Sequence, residues 1–262
     1  MLTSTRNPLV KNLRTLGLST KARRTQQVFL IEGTHALIEA ITTDHALDLV
    51  CCTESWRDTH ENLYDECLAV TDCQLVSPEV LEAIATTVNP DGVIAIAPIF
   101  DRQPLSINNL GLALESIQDP GNLGAIIRSA VAADVDGLLV SSDSVDLTHP
   151  KILRATAGQW FRCSMQSVPD LAGEIKKLQT QGIQAIATLP DAQITYWDLD
   201  FRKPTVILLG NEGNGLSPAL IELADRAVRV PVSNGVESLN LAVTAALLMY
   251  EAKRQNQSIS KS

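Results

Sequence analysis

Three short runs place carboxylate, carboxamide and guanidinium groups beside turn-forming residues. Asp119-Pro120-Gly121-Asn122 makes a tight turn ahead of a helical pattern that carries Arg128. Gly210-Asn211-Glu212-Gly213 sets a carboxylate between two glycines, which lack the Cβ that would keep a chain from turning closely around a ligand. Glu237-Ser238-Leu239-Asn240 follows the small polar turn Ser233-Asn234-Gly235 and opens a long apolar helix. Small polar groups at such a strand-to-helix crossing leave backbone N–H groups free for a ligand. Each run also has a plainer reading. Asn122 is an N-cap, Arg128 pairs with a surface carboxylate, Glu212 is an exposed loop residue, and Glu237 favours the positive end of the helix dipole.

The elements that must position these runs alternate regularly from Leu110 onward. Apolar, β-prone segments at 112–117, 137–141, 164–168, 183–188, 205–209 and 227–230 predict strands. Helical patterns fall at 123–133, 150–157, 171–181, 217–224 and 237–254. Apolar strands alternating with helices predict a parallel sheet covered on both faces. No Gly-x-Gly-x-x-Gly follows the first strand, which disfavours a dinucleotide site. A phosphate-loop lysine motif is also missing, against a nucleotide-dependent α/β enzyme of another type.

Ahead of this region, 28–31, 46–52 and 92–96 predict strands, and 34–41 and 77–85 predict helices, the last opening on Ser77-Pro78. These make a small α/β domain over 1–98. Residues 97–109 hold two prolines and little periodicity, so that 99–109 make a linker, and 110–262 a second domain. The tail from Gln255 is expected to be disordered.

The 262 residues are 45% apolar and 19% charged, which is ordinary for a globular chain, and no apolar run approaches the ~20 residues of a membrane span. Five cysteines without Cys-x-x-Cys spacing and four scattered histidines predict a reducing, cytoplasmic location and no metal site. Net charge is −9, yet residues 1–27 carry Arg6, Lys11, Arg14, Lys21, Arg23 and Arg24 and no acid. A basic arm on an acidic body concentrates attraction for phosphate at one place. The plainer reading is a solvated, frayed terminus.

Taken together and in order, the three runs resemble the motifs of the SpoU family of the SPOUT superfamily, S-adenosylmethionine-dependent RNA ribose 2′-O-methyltransferases. The segment from Ser4 to Leu16 with Phe29 to Ala40 resembles the substrate-binding module that precedes many of their catalytic domains. The resemblance implies catalytic roles for Asn122, Arg128, Glu212 and Asn240. It implies S-adenosylmethionine held by Thr188, Gly210, Glu212, Gly213, Val230, Ser238 and Leu239, and RNA held by Arg6, Lys11, Lys21, Arg23 and Arg24. Arg128 is implied to act at the 2′-hydroxyl, either as general base, awkward for a guanidinium, or as a clamp on phosphate and alkoxide. A deep trefoil knot in the parallel-sheet domain is implied as well. The apolar helix after Ser238 predicts burial on two sides and hence a homodimer. The rival expectation is a non-catalytic RNA-binding protein that keeps the fold.

Overall fold

A computed structural model describes residues 1–99 and 105–257. The expected linker therefore falls partly outside the described residues, as does the expected disordered tail from 258 onward, whereas residues 255–257 of that tail are helical, which corrects the expectation there. The chain divides into two compact units, residues 1–101 with 146–162, and residues 102–145 with 163–262.

The first unit opens with two helices, α1 (Pro8–Leu18) and α2 (Thr20–Gln26), where a frayed basic arm was the plainer expectation. Asn7 caps α1 through Leu9 N at 2.8 Å, with Pro8 in the first turn. Val10, Leu13 and Leu16 recur every three residues and are fully buried. Each such burial contributes about 1.5–3 kcal/mol, enough to dock a helix too short to be stable alone.

The sheet of this unit contains β1 (Val28–Glu32), β2 (Leu49–Cys52), β3 (Cys73–Leu75) and β4 (Val93–Pro98), in the order β1-β4-β2-β3. β4 runs antiparallel to β1 and β2, and β3 runs parallel to β2. Around it lie α3 (Thr34–Thr42), α4 (Glu54–Thr59), α5 (Glu61–Val70) and α6 (Pro78–Ile84). β3, α4 and α5 occupy a stretch for which no element was expected. Burial pushes the thiols of Cys51, Cys52 and Cys67 up to about 12, so these cysteines act as core residues.

Residues 146–162, expected within the second domain, belong to the first unit. They form α8 (Pro150–Ala155) and a short 3-10 turn at 159–162. Trp160 and Phe161 of that turn join Phe29 and His45 in an aromatic cluster with centroid separations of 4.9–6.0 Å. Arg23 is 1% exposed and ion-paired with Asp146 at 2.7 Å. The same guanidinium donates to Leu16 O, Thr20 Oγ1 and Thr148 Oγ1. Arg23 is thus committed to the interior, which corrects its expected place among the RNA-binding residues. Glu32 accepts from the backbone and hydroxyls of Thr86 and Thr87 and pairs with Arg154 at 3.0 Å.

The second unit is built on seven strands, β5 (Leu110–Leu114), β6 (Gly137–Ser141), β7 (Met165–Val168), β8 (Gln184–Thr188), β9 (Ile194–Thr195), β10 (Thr205–Leu209) and β11 (Arg226–Arg229). All pairings are parallel, in the order β7-β6-β5-β10-β8-β11-β9. The two-residue β9 is too short to leave a periodic signal. Ala113 and Leu208 pack against α9 (Leu171–Thr180) and α10 (Pro218–Leu223), while Leu112, Leu114 and Ile207 of the opposite parity are equally buried. Both faces are therefore covered, as continuous apolar strands require. Ile107 lies in this core, and Asp136 accepts from the backbone of 108, 109 and 110, so the end of the expected linker is tied to the sheet. Two further helices, α7 (Pro120–Ala133) and α11 (Leu241–Gln257), pack on each other, and Lys253 Nζ donates to Ala132 O at the end of α7.

Arg23→Ala should lower unfolding stability by about 3–5 kcal/mol in urea titrations, because it strands the Asp146 carboxylate. Arg24→Ala, on the exposed face of α2, should change it by less than about 0.5 kcal/mol. A second expectation concerns pH. Burial alone would raise the Glu32 pKa, but the bonds from Thr86 and Thr87 and the charge of Arg154 outweigh it and hold the carboxyl below its ordinary value of 4.5. That stabilisation is complete above the unfolded value and is lost as pH falls through the folded one. Denaturation midpoints between pH 6 and 3 should fall less steeply in Glu32→Gln than in the parent.

Candidate active site

In open parallel α/β sheets, ligands bind outside the carboxyl ends of the strands where the strand order reverses. Here that point lies at β5 and β10, which are neighbours although four strands separate them in sequence. The segment 115–119 leaves β5, and the loop 210–215 leaves β10.

Gly210 admits no side chain, since a Cβ there would lie 2.1 Å from the Gly215 carbonyl carbon. This close approach closes the loop through paired backbone bonds between Asn211 and Gly215 at 3.0 and 2.9 Å. The Asn211 side chain holds the loop from inside, its Oδ1 accepting from Gly213 N and Asn214 N at 2.9 and 3.0 Å. Its Nδ2 donates to Ser116 O at 2.8 Å and so ties the loop to the end of β5. Ser116 has a φ of +54°, unfavourable for a non-glycine residue. It is held there by Ser141 Oγ, which accepts its N–H at 2.7 Å, and by Asp143, which accepts its hydroxyl. Those hydroxyl bonds from Ser116 and Ser141 keep the Asp143 carboxyl below the usual range. Glu115 accepts from Ser217 N at 2.7 Å, fixing the start of α10.

Glu212 is carried outward by this loop. Its carboxylate accepts from Gln118 N at 3.4 Å, Asp119 N at 3.3 Å and Asn122 Nδ2 at 3.1 Å. Asn122 does not cap α7, contrary to its plainer reading. Asp119 is the cap, accepting Asn122 N at 2.8 Å, and with Pro120 it starts the helix three residues earlier than expected. The Asn122 carboxamide is left to bond outward, and its Oδ1 accepts from Asn240 Nδ2 at 2.9 Å.

Asn240 in turn caps α11, its Oδ1 accepting Ala242 N and Val243 N. The helix therefore begins at Leu241 rather than 237, and Glu237 and Ser238 lie in an exposed loop instead of the first helical turn. The capping carboxamide sets the helix start, because it supplies the acceptor that the first N–H groups need.

Asn122, Glu212 and Asn240 are thus brought into one chain of hydrogen bonds. Arg128 is not. Six residues along α7 at ~100° per residue, it projects about 120° away from Asn122. It is exposed, and it bonds no described residue.

The positions expected to hold the cofactor lie at the carboxyl ends of three adjacent strands, Thr188 on β8, Gly210 and Gly213 after β10, and Val230 after β11, with Ser238 and Leu239 in the following loop. Thr188 Oγ1 is buried with no hydrogen-bond partner among the described residues, the kind of group that a bound ligand completes. That orphaned hydroxyl and the glycine loop fit an adenosine-bearing cofactor. Sequence reasoning missed Ser116, Asp143 and Asn211 as positioning residues. Asn211 carried a signal, since asparagine in a glycine-rich run is the residue that bonds its own turn.

Asn211→Asp keeps the acceptor that holds Gly213 N and Asn214 N and replaces the donor to Ser116 O with a repelling oxygen. It should displace Glu212 from the 118–122 segment while the thermal midpoint stays within a few degrees, a combination that amide chemical shifts of Gln118 and Asp119 would read directly.

Among known families, residues 109–250 match the SpoU rRNA Methylase family, and residues 7–95 match the MRM3-like substrate binding domain. An uncharacterised tRNA/rRNA methyltransferase of Synechocystis sp. is 44% identical, covering 99% of this chain and 95% of its own. The 23S rRNA guanosine 2′-O-methyltransferase RlmP of Bacillus subtilis is 28% identical over 95% of this chain and 98% of its own. The crystal structure of the SpoU methyltransferase AviRb of Streptomyces viridochromogenes, in complex with AdoMet, superposes with a TM-score of 0.87 at 27% identity, covering 97% of this chain and 99% of that one. With a matching family over more than half its length and a close relative end to end, this chain belongs to the SpoU rRNA methylase family.

Proposed function

We propose that this chain is an S-adenosylmethionine-dependent 2′-O-methyltransferase acting on the ribose of ribosomal or transfer RNA. The observation that carries the reading is the hydrogen-bonded chain Asn240–Asn122–Glu212, which draws three separate loops to one point at the carboxyl edge of the sheet. A non-catalytic RNA-binding protein on the same fold has no use for that convergence, and the family relatives are named as methyltransferases.

The cofactor, when bound, supplies an electrophilic methyl group. Thr188, Gly210, Glu212, Gly213, Val230, Ser238 and Leu239 are the residues that would hold it. Asn122 Nδ2 and Asn240 Nδ2 each spend one hydrogen inside the chain of bonds and keep a second for the ribose oxygen. Among the described residues Arg128 keeps its whole planar fork unbonded, which favours its role as a clamp on the adjacent phosphate and the developing alkoxide over that of a general base.

Arg6, Lys11, Lys21 and Arg24 are exposed, and with Arg14 they form the cationic surface proposed for RNA. Exposed Val243 and Tyr250 of α11, together with Val232 and Val236 of the preceding loop, support a homodimer formed through this region. The trefoil knot belongs to the same reading, threaded in the parallel-sheet unit. No helix among the described residues is long and apolar enough to cross a membrane. The buried thiols of Cys51, Cys52 and Cys67 support a cytoplasmic location.

Methyl transfer from labelled S-adenosylmethionine to ribosomal or transfer RNA tests the proposal, with the ribose-methylated nucleotide mapped in cells with and without the protein. Arg128→Ala should cut transfer by roughly 10²–10³-fold while cofactor affinity and oligomeric state hold. Arg128→Lys keeps charge without the fork, so a low activity that stays flat from pH 7 to 10 fits the clamp. Recovery as pH rises would instead make the side chain a base.

A further inference from the structure

The first unit contains a cleft of about 690 Å³ that the proposed transfer reaction does not use. It lies at the edge of the four-stranded sheet where β1, β2 and β3 end and β4 begins, the edge at which α/β sheets take ligands. Three loops there are locked together. Thr34 N donates to Asp91 Oδ2 at 2.6 Å, Trp56 Nε1 to Thr34 Oγ1 at 2.7 Å, and Thr53 N to Gly92 O at 3.0 Å. Gly92 has a φ of +112°, and a Cβ on it would lie 2.8 Å from Trp56 Cβ, so the loops meet at van der Waals limits. Such rigidity in surface loops is what a preformed binding site requires.

The His60 ring stacks on Trp56 with centroids 5.0 Å apart and planes at 23°. Its Nδ1 donates to Trp56 O at 3.0 Å, because a carbonyl only accepts, which leaves Nε2 as the ring's second polar atom. Glu54, Glu82 and Asp91 line the cleft and add acceptors, and among the described residues no lysine or arginine lines it. An aromatic wall with carboxylate acceptors repels phosphate and suits a flat ring bearing N–H donors. The wall formed by α6 connects this cleft to the cationic helices. α1 packs on α6, and Arg14 of α1 shares with Glu82 a second cleft of about 300 Å³. A strand whose phosphates lie along α1 and α2 would present a base to the larger cleft.

We infer that this cleft takes one unpaired, amino-bearing nucleobase of the RNA substrate, guanine above all, and discriminates against uracil. Guanine offers N1–H and an amino group to the acceptors, whereas uracil turns two carbonyls toward carboxylates. The inference rests on RNA being the substrate, as proposed above.

The test is fluorescence anisotropy of the full-length chain with a nine-nucleotide uridine RNA and with the same RNA carrying one central guanosine. The guanosine RNA should bind about tenfold more tightly, the usual scale of one stacked base. His60→Ala and Glu54→Gln should each remove most of that difference, and His60→Phe, which keeps the stack, should retain part of it. Lys11→Ala with Arg14→Ala should weaken both RNAs equally. Equal binding of the two RNAs by the parent, or a preference that survives both His60→Ala and Glu54→Gln, would overturn the inference. So would competition by free GMP at the affinity of the RNA, which would make the ligand a nucleotide. Methyl transfer measured on the same preparations separates the two claims. Transfer without base preference rejects the cleft alone, and base preference without transfer rejects the methyltransferase reading while supporting the cleft.

Discussion

A parallel sheet releases a loop at the carboxyl end of each strand, and nothing in the strand ladder joins one loop to the next. In this chain the joining falls to side chains of the 210–215 loop. Asn211 closes its own turn and bonds the backbone at Ser116, and Glu212 gathers three donors from 118–122. Gly210 allows the turn to close at all, since no residue with a Cβ fits against Gly215. Asn122 can then turn its carboxamide toward Asn240 because Asp119 has already capped α7. Each catalytic candidate of this cluster depends on that sequence of contacts, so the site is one hydrogen-bonded unit whose members should respond to mutation non-additively.

A comparable constraint organises the first unit. Segment 146–162 leaves the neighbourhood of β6 and returns before β7, and inside the first unit it is held by a buried ion pair and an aromatic cluster. The Arg23–Asp146 pair is costly to desolvate, and it persists because every face of the guanidinium meets an acceptor. Further along, Arg154–Glu32 and Arg162–Glu39 repeat the pattern with more exposed partners, where each pair is worth less. The basic residues near the N-terminus therefore divide by function. Arg23 holds the fold, and its exposed neighbours Lys21 and Arg24 remain available to a polyanion.

The sheet of the second unit, its six longer strands and the three motif runs were legible in the sequence, because strand periodicity and turn chemistry act over a few residues at a time. The small α/β domain was legible in part, with α1, α2, α4, α5 and β3 missed where short elements give weak patterns. Helix starts were misplaced by three residues at α7 and four at α11, since the residue that caps is chosen by which side chain finds the free N–H groups. Residue type alone allowed either Asp119 or Asn122 at the first of these.

What the sequence determined by itself was local. It set the alternation of strand and helix, the turns that must hold glycine, the types of side chain at the site, and the concentration of positive charge before residue 28. The tertiary structure decided what depends on residues far apart in the chain. It brought Glu212 to Asn122 across 90 positions and Asn240 to Asn122 across 118, left Arg128 outside that cluster, and drew Arg23 into the interior against Asp146 across 123. The physical reason is that a side chain's role follows from the partner it meets, and periodicity records which face a residue takes without recording what lies opposite that face.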